Sequence, residues 1–179
     1  MNPQPRALLR KGVKRDSVLL SLFFSMKRKT MKLVFDRDTL ARYSEHYFLL
    51  HPRAQKQPIK QPYHESINEW MIMKRVMMNA LKQKWKDFIV WFIRDQGYSN
   101  LRIDDCELIY TAYYPNNRRH DPDNSVPKFI NDGLVESGFL VDDDSTHVRS
   151  LTLKCGVDTE RPRTEIKVII YEQKENENG

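Results

Sequence analysis

The stretch RRHDPDNSVPKFINDGLVESGFLVDDD, residues 118 to 144, gathers seven carboxylates behind two arginines and a histidine. Crowded carboxylates repel and raise one another's pKa, so a fold that collects them needs a compensating cation, a substrate or bulk water. Pro122 separates Asp121 from Asp123. A residue before proline is pushed to extended geometry, where side chains two apart share a face, so both carboxylates are expected to point the same way. A hard divalent ion could take an oxygen from each. With no accompanying Cys or paired His, Mg²⁺ or Mn²⁺ suits these donors better than zinc. A DxD turn alone is weak evidence, because aspartate often caps backbone N–H groups in loops, and a DDD run alone reads as a solvated turn. The order DxDN, helix, GF, second acid run is what points to chemistry.

Between the two acid runs, Ser125 can cap a helix whose first turn tolerates Pro127 and which Gly138 ends, about 13 residues in all. Val126, Phe129 or Ile130, and Leu134 make its buried stripe. Lys128 and Asp132, four apart, are expected to pair on another face. So short a helix returns the chain quickly, and VDDD (141 to 144) is expected to converge with the DPD turn.

RRHDPDN, the helix bearing Lys128 and Asp132, and GFLVDD together resemble the RusA family of Holliday junction resolvases, small phage and prophage endonucleases. The close likeness covers about 30 residues; the strand order around it and the Pro- and Lys-rich segment HPRAQKQP agree more loosely. The resemblance implies that Asp121, Asp123 and Asp143 are metal-binding catalytic aspartates, with Asp144 in place of Asp143 if the register slips by one. It further implies that Asp142 is a supporting acid and that Lys128 lies near the scissile phosphate. A homodimer nicking opposed strands of a four-way DNA junction with Mg²⁺ or Mn²⁺ is the implied activity. Arg118, Arg119, His120, Arg53, Lys56 and Lys60 are expected to contact DNA.

The elements that must position these residues follow from local pattern. MKLVFD (31 to 36) reads as a strand, and HPRAQKQPIKQP (51 to 62) as a stiff basic loop. From Glu65 to Gln96 the residues Trp70, Met73, Met77, Leu81, Trp85, Phe88 and Phe92 recur at helical spacing, and Gly97 is a natural stop. Within it FIVWFI (88 to 93) is apolar nearly all round, as a subunit interface or a deep core position would require. Residues 106 to 115, 148 to 157 and 163 to 172 read as strands. The expected fold is a single α/β domain over 31 to 172, a mixed sheet of about four strands with one long and one short helix, forming dimers. Residues 173 to 179 make a polar tail.

The formal charge of +6 is concentrated at the start, where residues 1 to 30 hold eight Lys/Arg against one acid. Residues 50 to 102 are basic and residues 103 to 179 acidic, a division that suits gripping a polyanion with one half and a metal with the other. VLLSLFF (18 to 24) is too short to span a bilayer and lacks a cleavage pattern. A start at Met26 or Met31, or a basic DNA-contacting arm, accounts for this extension. Cys106 and Cys155 suggest neither a disulfide framework nor a zinc site, which fits a reducing cytoplasm. The resemblance, which the charge division suits, implies a Mg²⁺-dependent structure-specific endodeoxyribonuclease acting on branched DNA, with no membrane partner. A non-catalytic DNA-binding protein with a structural metal site is the alternative.

Overall fold

Alternating burial in CELIYTAYY places Cys106, Leu108, Tyr110 and Ala112 on the covered face of one central strand. This is the period-two signature of a sheet covered on one side. The computed structural model describes residues 27–63 and 66–172. Its strands are β1 (Lys27–Asp36), β2 (Cys106–Tyr114), β3 (Val148–Val157) and β4 (Arg163–Glu172). They form one mixed sheet in the order β1-β4-β2-β3. β4 pairs antiparallel with both β1 and β2, while β2 and β3 run parallel. Lys27 already pairs with Glu172, so the sheet begins four residues before Met31. VLLSLFF and the polar tail lie outside the described residues.

Two helices cover the sheet, α1 (Arg37–Leu50) and α3 (Arg75–Asp95), with the short α2 (Ile67–Ile72) between them and α4 (Lys128–Glu136) following β2. Phe35 of β1 meets Phe88 and Phe92 of α3 edge-on, at ring-centre distances of 5.4 and 5.7 Å. Edge-to-face contacts of this kind add to the gain from burying each ring. The second side of FIVWFI is covered by α1, whose Tyr43 packs on Phe88 and Trp91. Asp36 ends β1 and caps α1, accepting from Thr39 N and Oγ1, both at 3.0 Å. Burial alone would raise its pKa, but hydrogen bonds from Thr39 and Arg161 outweigh this and hold it below the ordinary carboxylate value.

The helix expected over residues 65 to 96 is broken. Met73 and Lys74 are extended, with ψ of 137° and 138°. Trp70 packs edge-on against Phe129 of α4, and Ser66 is bridged to Ser125, so tertiary anchors turn α2 away from the line of α3. Local helical propensity is readily overridden in this way. α4 is likewise shorter than expected, nine residues, because Ser125 is held in the Ser66 bridge and Pro127 occupies the cap position instead. Gly138 does stop it, with φ of +71°, and a Cβ there would meet Asn100 Oδ1 at 2.6 Å.

α4 lies directly on α3. A Cβ on Gly133 would sit 2.6 Å from Ile89 Cβ, so the close approach of the two helices depends on this glycine. Across the same seam Lys82 Nζ lies 2.7 Å from Asp132 Oδ2, and Lys86 pairs with Glu136. Gly133→Ala is expected to lower stability by about 1–3 kcal/mol through overpacking, despite a helix-propensity gain of about 1 kcal/mol. Urea denaturation checks this: an unchanged or raised midpoint would contradict the close seam.

Candidate active site

Parallel strands cannot be joined by a tight turn; they need a crossover, usually helical. The crossover from β2 to β3 is the segment that carries the DPD turn, α4 and the DDD turn. Its first part folds into a 3₁₀ turn, Pro122–Asn124. Asp121 is extended, but Asp123 lies inside that turn, with Asn124 N donating to Asp121 O at 3.0 Å. The two carboxylates therefore do not share one extended stretch as the sequence led us to expect. Proline, which favours the first position of a helical turn, starts this one instead.

The DPD turn is fastened from outside the crossover. Asn124 Oδ1 accepts from Ser66 Oγ at 3.0 Å and from Asn68 N at 3.4 Å, tying the turn to the start of α2. Asp121 pairs with Arg119 at 3.2 Å, both side chains being well exposed. Such a pair is worth little and is easily exchanged for another partner. Asp123 is exposed and takes no hydrogen bond or ion pair among the described residues.

The second acid run divides its work. Asp144 Oδ1 accepts from Thr146 N and Oγ1 at 2.9 and 2.6 Å, and lies 2.7 Å from His147 Nδ1. Its carboxylate is thereby committed to shaping the turn, and these bonds hold its pKa well below the usual range. Asp142 Oδ1 accepts from Asp143 N at 2.7 Å. The Asp143 carboxylate, half-buried, takes no such bond among the described residues. Of the two residues open as the third metal ligand, Asp143 is the one with its oxygens unengaged.

Both acid turns approach the helix-covered side of the β2–β3 pair. The Cys155 thiol is pushed up in pKa by burial and then by the charge of Asp121. Tyr110 is pushed up by burial first, with Cys106 and then Asp143 adding to it. Tyr110 pairs with Leu153, two residues from Cys155 along β3. Oxygen donors of this kind fit a hard cation. Even so, among the described residues no three His, Cys, Asp or Glu side chains form a group able to hold a metal ion. The expected convergence of the two acid turns on one metal-sized cluster is not seen among the described residues.

Lys128 Nζ is exposed and only 3.5 Å from Asp132 Oδ1, whose other oxygen is held by Lys82. The expected Lys128–Asp132 pair thus forms, loosely, and leaves the ammonium accessible. Arg118, Arg119, His120, Asp121 and Asn124 line a cleft of about 430 Å³. Lys56 and Lys60 line a neighbouring hollow of about 660 Å³, floored in part by Met73, Met77 and Leu81. Gln61 and Glu69 line both, so the two spaces adjoin. Arg53, exposed on the same loop, lines neither.

Residues that sequence reasoning missed are Ser66, Asn68 and the ring pair Tyr63 and Tyr114. Ser66 meets Asn124 across 58 positions of sequence, a separation no local pattern reports. Both cysteines are free thiols, and no helix among the described residues is long and apolar enough to cross a membrane. The sequence matches no family model and no curated protein.

His147 lies between Asp144 and Asp104, and its pKa is raised above 6.5, chiefly by the Asp144 hydrogen bond. A raised histidine contributes fully below 6.5 and loses its contribution as pH rises through the folded value. The depressed Asp144 contributes above 3.8 and loses it as pH falls through its folded value. The DDD turn is therefore held most firmly between those limits. NMR titration is expected to place His147 above 6.5, and Asp144→Ala to bring it down; a value at or below 6.5 in the intact protein would contradict this turn geometry.

Proposed function

We propose that the protein is a metal-dependent, structure-specific endodeoxyribonuclease that cuts four-way or otherwise branched DNA, acting as a homodimer in the manner of the RusA family it resembles. The observation that carries this reading is the pairing of unengaged carboxylates, Asp123 and Asp143, with exposed cations on one crossover. A polyanion is needed to draw those cations, and a divalent ion to bring the carboxylates together. Structural aspartates in the same segment, Asp132 and Asp144, have protein partners; the candidate ligands Asp123 and Asp143 have none among the described residues.

In this reading Asp121, Asp123 and Asp143 would hold Mg²⁺ or Mn²⁺, with Asp142 in support, which would require the two acid turns to close toward each other on binding. The ion, when present, lowers the pKa of water and polarises the phosphate. Arg119 exchanges its carboxylate partner for a backbone phosphate and frees Asp121, a trade between exposed groups that costs little. Lys128 faces the negative charge that builds on the phosphate as the water oxygen bonds to phosphorus and the P–O bond to the leaving strand breaks. Arg118, Arg53, Lys56 and Lys60 hold flanking phosphates, which fixes register without reading sequence. The basic loop and the arginines line adjoining spaces, as one strand tracking across both would require.

A labelled four-way junction and a matching linear duplex, each incubated in Mg²⁺, Mn²⁺ or EDTA, test the reading. Symmetrical nicks in the junction alone, dependent on the ion, are expected. Asp123→Asn should lower the cleavage rate by about two to three orders of magnitude while junction binding survives. Cleavage by Asp123→Asn at the normal rate would sink the assignment of the site. Tight junction binding without cuts under either ion would favour a non-catalytic DNA-binding protein instead.

A further inference from the structure

The cleft beside Asp121 is lined by rings as well as by charge. Tyr114 and His120 stack in parallel, with ring centres 3.6 Å apart and planes within 2°. Tyr63 leans on Tyr114 at 4.7 Å. His120 is only half-buried, yet its Nε2 lies out of solvent with no hydrogen-bond partner among the described residues. The cleft's volume of about 430 Å³ lies in the range of ligand pockets. Arg118 and Arg119 line the same space and suit phosphate, whereas stacked rings suit a flat aromatic ligand.

We propose that this cleft is a subsite for one unpaired nucleobase of the bound DNA, which continues the Tyr114–His120 stack. Arg118 and Arg119 hold the phosphate of the same nucleotide, which places its backbone beside Asp121. His120 is thereby a base-stacking residue and not another phosphate contact. Bases within a duplex cannot enter such a cleft without leaving their stack. A branch point, where the continuous stack of base pairs is interrupted, releases a base at lower cost than the interior of a duplex. The subsite therefore favours branched over linear DNA, and because every base has a π-face it tolerates different sequences. This inference rests on the proposed action on branched DNA, and its test separates the two.

The probe is 2-aminopurine, placed either at the branch point of a four-way junction or in the middle of a fully paired arm, with EDTA present so that nothing is cut. Binding is expected to change the fluorescence of the branch-point probe and leave the arm probe unaltered. His120→Ala should abolish that change and weaken junction binding about tenfold, whereas His120→Phe, which keeps a flat ring on Tyr114, should retain most of both. An undiminished change with His120→Ala, an equal response from the arm probe, or a stronger response from single-stranded RNA would overturn the proposal. Junction cleavage in Mg²⁺ with no branch-point response removes the subsite and leaves the nuclease. A His120-dependent response without cleavage under any ion supports the subsite and removes the nuclease.

Discussion

The parallel pairing of β2 with β3 is the constraint on which the rest of the molecule depends. Because the strands point the same way, the chain leaves β2 at Tyr114 and must travel back before entering β3 at Val148. Every acid of the candidate site rides on that return path. Its rigid middle is α4, seated on α3 by the small side of Gly133 against Ile89 and by the Lys82–Asp132 and Lys86–Glu136 pairs. The DPD turn precedes α4 and the DDD turn follows it, so a displacement of this one helix moves both. The Ser66–Asn124 contact adds a second anchor that fixes the first turn to α2.

Charge is apportioned along the same path. Deeply covered carboxylates have partners: Asp36 has Arg161, Asp132 has Lys82, and Glu165 has Lys32 and Arg163. Full burial of a charge without such a partner is too costly to persist. Exposed Asp123 is instead stabilised by water, and half-buried Asp143 takes no protein partner among the described residues. The mutual repulsion of exposed carboxylates on the acid turns is screened by solvent. A cation placed between them would relieve it by attraction instead, which is the electrostatic basis for expecting the turns to close.

Much of this was legible because it obeys local rules. The four strands follow from alternation and β-branched or aromatic content, Gly97 and Gly138 stop their helices with φ near +70°, and Lys128 finds Asp132 four residues on. What escaped depends on contacts distant in sequence. The break at Met73 and Lys74 is imposed by Trp70 on Phe129 and by Ser66 on Ser125, neither of which a helical stripe records. α1 was missed although Asp36, with Thr39 three residues on, is a capping signal and Leu40, Tyr43 and Ser44 make a helical face. Its aromatic and polar residues are mixed closely enough to blur the period. The residue types of the acid site could be read directly; whether its two halves touch could not, since that depends on how far α4 holds them apart.

On the proposed reading the two acid turns serve a single ion. Mn²⁺ binding to the protein–junction complex, followed by electron paramagnetic resonance in the intact chain and in the Asp123→Asn and Asp143→Asn variants, decides this. If the turns close on one ion, either substitution alone removes the bound Mn²⁺ signal. Retention of that signal in Asp143→Asn, with loss only in Asp123→Asn, would mean that the DDD turn takes no part, and the account of a shared site on the crossover would be wrong.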